Sequence, residues 1–221
     1  HQLLAGGLRE ARHAHLLAHE EGDALVDVVL IGAEVHAEGV SGAGLHLGDG
    51  ALRVAVQGRG DELASEAMLA TLRELILPQA TVITPNTMEA RRLVAHRGED
   101  SDERSMSDCA VQLLAMGCRN VLITGSHAHT PQVINTLYSA GGVLRTDAWR
   151  RLPGSYHGSG CTLASALAAA LAHGLAVSEA AYEAQGFTWQ TLASAFRPGM
   201  GQHIPDRFFW ARPAGPDSDD A

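Results

Sequence analysis

Two five-residue runs, Ala80–Thr84 (ATVIT) and Asn120–Thr124 (NVLIT), constrain the fold more than anything else in this chain. Both are apolar at consecutive positions and rich in β-branched residues, the pattern of a strand covered on both faces. Helical periodicity lies around them. Asp61 can N-cap a helix reaching about Leu77, where Pro78 stops it, and further helices are expected over Asn86–Val94 and Ser107–Met116. Gln132–Ser139 and Val143–Arg150, on either side of Ala140-Gly141-Gly142, read as a β-hairpin. A long helix is expected over Ser159–His173, ending at Gly174, and another over Ser178–Phe196. Strands alternating with helices predict an α/β fold with a mainly parallel sheet. Ligands of such sheets sit at the carboxyl ends of the strands. The expected walls of one site are therefore Thr84–Glu89, Thr124–His127 and His157–Cys161.

The pattern is not uniform along the 221 residues. Residues 1–57 contain no Phe, Trp, Tyr, Pro, Cys, Met, Thr, Asn or Lys, yet hold six of the 12 His and nine of the 24 Gly. Losing so many residue types together sets this segment apart and puts a boundary near Gln57. Within it, Ala24–Ile31 is apolar enough for a buried strand, and Gly39–Gly50 reads as a loop. The chain opens on His1 rather than Met, as expected where the natural start lies upstream. Residues 213–221 are expected to be a disordered acidic tail.

Charge and residue choice exclude several chemistries. All 16 basic residues are arginine, so no lysine is present for a Schiff base or a P-loop. A formal net charge of −9 argues against nucleic acid or an anionic membrane as partner. The run Leu163–Leu171 is too short to cross a bilayer. Three cysteines without CxxC spacing fit a reducing cytoplasm better than a disulfide scaffold.

The strongest local signal is His157-Gly158-Ser159-Gly160-Cys161-Thr162, directly before an Ala-rich helix. Two glycines let the backbone turn tightly and approach a ligand closely. The N–H groups of the following helical turn then form an anion hole at the positive end of the dipole, suited to a phosphoryl group. The dipole also favours the thiolate of Cys161, which can accept a proton from an attacking hydroxyl. A tight loop with a small buried cysteine explains the same residues. Asn86 and Glu89 share one face of a first helical turn and offer hard oxygen ligands for Mg²⁺ or its waters. They equally fit a capping box. Thr124 and Gly125 end a strand where a hydroxyl and bare backbone can meet phosphates, or simply make a turn.

Taken in order, these motifs resemble the hydroxymethylpyrimidine/phosphomethylpyrimidine kinases of thiamine biosynthesis, in the ribokinase-like superfamily. The resemblance rests on GRGDELASEAM (58–68), LPQATVITPNTMEARRL (77–93), GCRNVLITGSH (117–127), LPGSYHGSGCTLASALAAALAHG (152–174) and GMGQHIPDRFFWA (199–211). It implies a three-layer α/β/α fold, with residues 58–212 as the ATP-side portion of the kinase domain. It makes Cys161 the catalytic base, with Gly158, Ser159, Gly160 and Cys161 as anion hole. Thr124 and Gly125 become nucleotide-binding, and Asn86 and Glu89 act through Mg²⁺. The implied reaction moves the ATP γ-phosphate to a hydroxymethylpyrimidine and then to its monophosphate, in a cytoplasmic homodimer with a small-molecule substrate.

Residues 1–57 stand outside the resemblance. The family's pyrimidine-binding Ser/Asp segment has no match there, and Val54-Ala55-Val56-Gln57 replaces an Asp-Pro. This segment is expected to be divergent, or a foreign or out-of-frame sequence, leaving the N-terminal part of the sheet incomplete. Two alternatives follow: a pyridoxal-type vitamin kinase, some of which share the GxGC turn, and an inactive nucleotide-binding fragment.

Overall fold

A computed structural model describes residues 28–31, 45–47, 51–53, 69–70, 72–95, 104–125 and 130–211. The two apolar runs are strands with the bounds read from the sequence. They are β4 (Ala80–Thr84) and β5 (Asn120–Thr124), preceded by β1 (Val28–Ile31), β2 (Leu45–Leu47) and β3 (Ala51–Arg53). The hairpin follows as β6 (Gln132–Ser139) and β7 (Gly142–Arg150). The helices are α1 (Thr87–Val94), α2 (Met106–Ala115), α3 (Ser159–Ala172) and α4 (Val177–Ala193). Asp61, residues 126–127 of the expected wall and the tail 213–221 lie outside the described residues.

The five-stranded sheet runs β1-β4-β5-β6-β7, while β2 and β3 pair separately, β2 inside the stretch Gly39–Gly50 expected to be loop and β3 just beyond it. The mainly parallel sheet expected from the sequence becomes a mixed one. β1 with β4 and β4 with β5 are parallel, but β5 with β6 and β6 with β7 are antiparallel. The reason is connection length. A parallel neighbour needs a crossover of a dozen or more residues, and neither the link from Thr124 to Gln132 nor the turn at Ala140–Gly141 is long enough.

Helices cover both faces, giving the three layers. On one face Val82, Leu122 and Leu137 pack against Leu163 and Leu167 of α3 and Phe187 of α4. Ala164, Ala170, Ala180, Ala181 and Ala184 are at most 1% exposed, and their small side chains let α3 and α4 approach closely. On the other face Ile83, Val121 and Ile123 meet Ala90 and Val94 of α1 and Cys109, Ala110 and Leu113 of α2. Burying each large side chain here is worth about 1.5–3 kcal/mol. Arg73, in the wide helical turn Leu72–Ile76, closes the far end of α1. Its guanidinium donates to the carbonyls of Leu93 at 2.7 Å, Arg92 at 2.9 Å and Ala95 at 3.0 Å. Those carbonyls have no partner within the helix, and the cation meets the negative end of its dipole. No helix among the described residues is long and apolar enough to cross a membrane.

Cys118 sits in the second core layer, 3% exposed, with its thiol donating to the carbonyl of Asn120 at 2.9 Å. Burial pushes this thiol from 9.0 up to about 11. An unfolded Cys118 releases its proton near 9.0 while the folded one keeps it to about 11, so unfolding becomes easier as pH rises between those values. Urea unfolding at pH 7, 9 and 10.5 is expected to show a stability loss across that window that is smaller in Cys118→Ala. Equal slopes for the two proteins would remove the assignment.

Candidate active site

The carboxyl ends of β4 and β5, the end of the hairpin and the start of α3 converge on a cleft of about 1060 Å³. Thr84, Asn86, Glu89 and Thr124 form one wall, and Gly158, Ser159, Gly160 and Cys161 form another. The sequence placed these residues on three separate segments, and the fold brings them together.

The first wall is built by a cap. Asn86 precedes α1, and its Oδ1 accepts from the backbone N–H groups of Met88 and Glu89, both at 2.9 Å. Glu89 Oε2 returns the favour, accepting from the Asn86 N–H at 2.8 Å. The capping-box alternative is therefore what forms, worth about 1 kcal/mol to the helix end. It also orients the wall. The cap holds Glu89, 7% exposed, with its carboxylate on the cleft, and the carboxylate carries its charge at the positive end of α1. Asn86 lies beside Thr124 through an isolated parallel bridge, in which the Thr124 N–H donates to the carbonyl of Pro85 at 2.9 Å.

The second wall turns on Gly158. Its φ of +85° is left-handed, which favours glycine, and a Cβ there would stand 3.1 Å from the Arg207 guanidinium, a tight contact. No side-chain hydrogen bond caps the start of α3. Thr162 steadies the turn by donating to the carbonyl of Gly158 from Oγ1 at 2.8 Å, and Arg207 Nε donates to that hydroxyl at 3.0 Å. The approach to the turn is clasped by the C-terminal segment. The His157 N–H donates to the carbonyl of His203, and the His203 N–H to that of Ser155, both at 2.9 Å. Cys161 is partly exposed on the cleft, whereas Cys109 and Cys118 are buried.

Gly125 behaves differently from its neighbour Thr124, which lines the cleft. A Cβ at Gly125 would collide with the carbonyl oxygen of Ile134 on β6, so this glycine serves close approach of backbones. Its N–H is taken by Asn135 Oδ1 at 3.0 Å. Asn135, Gln185, Trp149 and Trp189 also line the cleft and were not singled out from the sequence. Asn135 occupies an inward position of β6, between Val133 and Leu137 on the same face, and a polar residue at such a position was the available signal.

Among the described residues no three His, Cys, Asp or Glu side chains cluster as a metal site. The donor set does suit Mg²⁺, which takes one or two carboxylates and completes its shell with phosphates and water. Glu89 can supply the carboxylate, while the Asn86 amide oxygen is spent on the cap.

Comparison with known proteins gives a consistent result. The family model for phosphomethylpyrimidine kinase matches residues 53–206. The chain is 38% identical over 145 residues to the hydroxymethylpyrimidine/phosphomethylpyrimidine kinase of Escherichia coli K12, covering 66% of this chain and 54% of that protein. The Rhizobium meliloti protein of the same name is 34% identical over 149 residues, covering 67% and 56%. The chain thus spans about half the length of the curated relatives it matches. Among solved structures, the ADP complex of Bacillus subtilis pyridoxal kinase superposes with a TM-score of 0.59 at 27% identity, covering 67% of this chain and 58% of that one. Staphylococcus aureus pyridoxal kinase with ADP gives 0.60 at 26%, covering 69% and 56%.

Burial raises the Cys109 and Cys118 thiols and closes them to solvent. A maleimide applied briefly to the folded protein at neutral pH is expected to label Cys161 alone, with peptide mapping as the readout. Labelling at Cys109 or Cys118 at the same rate would contradict the packing described above.

Proposed function

The chain belongs to the phosphomethylpyrimidine kinase family, and from that membership and the cleft geometry we propose that it transfers the ATP γ-phosphoryl group to a hydroxymethylpyrimidine and to its monophosphate. The observation that carries this reading is the position of Cys161. It stands in the first turn of an uncapped helix, on the same cleft as Glu89 and Thr124.

Phosphoryl transfer demands positioning and charge stabilisation more than covalent help from the protein. The N–H groups at the start of α3, with the helix dipole behind them, stabilise charge on the transferred group's oxygens. Cys161 Sγ takes the proton of the substrate hydroxyl as that oxygen forms its bond to phosphorus. The bond from phosphorus to the β-phosphate oxygen breaks, and ADP carries away the electron pair. Glu89 would hold Mg²⁺, which neutralises phosphate charge when bound. Thr124 lies where the nucleotide phosphates reach the end of β5. The left-handed Gly158 keeps the α3 turn open to those oxygens.

A second reading, phosphorylation of pyridoxal-type alcohols, is favoured by the pyridoxal kinases that share the fold at 26–27% identity. Hydroxymethylpyrimidine and pyridoxal offered in competition, with Mg²⁺ and ATP, separate the two. Turnover of the pyrimidine by this chain is expected to fall about 10²–10⁴-fold in Cys161→Ala, the usual contribution of a general base, with ADP still bound. A folded chain that binds ADP and turns over neither alcohol would be a nucleotide-binding fragment of the kinase. An unchanged rate in Cys161→Ala would take the base role from this residue.

A further inference from the structure

We propose that Asn135 and Gln185 are positioning residues for the nucleotide end of the cleft, acting through a directional relay of hydrogen bonds that fixes the Thr124–Gly125 turn. The inference rests on the kinase reading above, which puts nucleotide at that turn.

The relay starts from Asp147 on β7. Its carboxylate is gripped by Arg145 from Nε and Nη2, each at 2.7 Å, and can only accept. Gln185 on α4 must therefore turn its amide nitrogen towards Asp147, and Nε2 donates to Oδ2 at 2.9 Å and to the carbonyl of Ala181 at 3.0 Å. That choice leaves Gln185 Oε1 facing two donors, Trp149 Nε1 at 3.0 Å and Asn135 Nδ2 at 2.8 Å. An indole N–H can only donate, so it enforces the same orientation independently. Asn135, having spent its nitrogen on Gln185, presents Oδ1 to the Gly125 N–H at 3.0 Å. The Asp147 carboxylate and the Trp149 indole together thus dictate which atom of Asn135 meets the end of β5.

Packing alone does not call for these residues. Asn135, Gln185 and Asp147 are 7%, 3% and 9% exposed, beside a core layer of Val, Leu, Ala and Phe. Buried amides cost free energy unless every donor and acceptor is matched, so an apolar filling would serve the fold as well. Two features point to the cleft instead. Asn135 and Gln185 both line it, and the relay ends on the turn that the Asn86–Thr124 bridge fixes from the other side. The turn is held between α1's cap and this relay, with no room for a side chain at Gly125.

Calorimetric titration of ADP with Mg²⁺, and separately of hydroxymethylpyrimidine, tests this on the full chain. Asn135→Ala orphans the Gly125 N–H, and its ADP Kd is expected to rise about 5–150-fold, the range for one unpaired buried donor. Pyrimidine affinity is expected to stay as in the wild type. Gln185→Leu, one hydrogen bond further from the turn, removes the acceptor that orients Asn135 and is expected to weaken ADP in the same selective way. It also serves as the test should Asn135→Ala fail to fold. Wild-type ADP affinity in both folded variants, or equal loss of both ligands, would overturn the proposal while leaving the kinase reading intact. A wild-type chain that binds no ADP would remove the kinase reading and the proposal with it.

Discussion

β5 is the constraint on which the rest depends. Leu122 faces one core layer, Val121 and Ile123 face the other, and all three are at most 3% exposed. Because both faces are dry, the strand cannot slip by one residue without exchanging every contact on each side. Its two edges differ as well, parallel to β4 and antiparallel to β6. One strand therefore joins the crossover half of the sheet to the hairpin half, and its last residue, Thr124, reaches the cleft where the halves meet.

The site follows from that register. With β4 and β5 parallel, their carboxyl ends lie side by side, and Asn86 comes to rest against Thr124. The Ala-rich interface of α3 and α4 sets how near the start of α3 approaches those ends. Cys161 stands in the first turn of a helix without a side-chain cap, Glu89 is held by a capping box, and Thr124 ends a strand. Such supports suit the proposed phosphoryl transfer, whose barrier falls mainly through placement.

Much of this was legible in the chain, and the reasons are local. β4 and β5 have the bounds that their β-branched runs indicate, and α3 begins at the residue after its left-handed glycine. Asn86 and Glu89 were readable as a cap or as metal ligands, and only geometry could choose, because both uses require the same spacing. The share of antiparallel pairing was understated, since alternation of elements outweighed the short link between β5 and β6. The Asn135–Gln185–Asp147 relay escaped notice for a different reason. Its members are 50 and 38 positions apart in sequence, and their partnership exists only once β6, β7 and α4 have packed. Gln185 does leave a trace, being a polar residue on the helix face of Ala181, Ala184 and Thr188.

The clasp between Ser155–His157 and His203 bears on how the chain is made. Protein synthesis proceeds from the N-terminus, and the early layers can pack while the remainder is still on the ribosome. The turn leading into α3 cannot close at that stage, because the carbonyl and N–H it needs belong to His203, with Arg207 bracing Thr162 further still along the chain. The turn at the head of α3 consequently sets late, once the segment carrying His203 and Arg207 is available. A nascent chain carrying both core layers is built, but not yet armed.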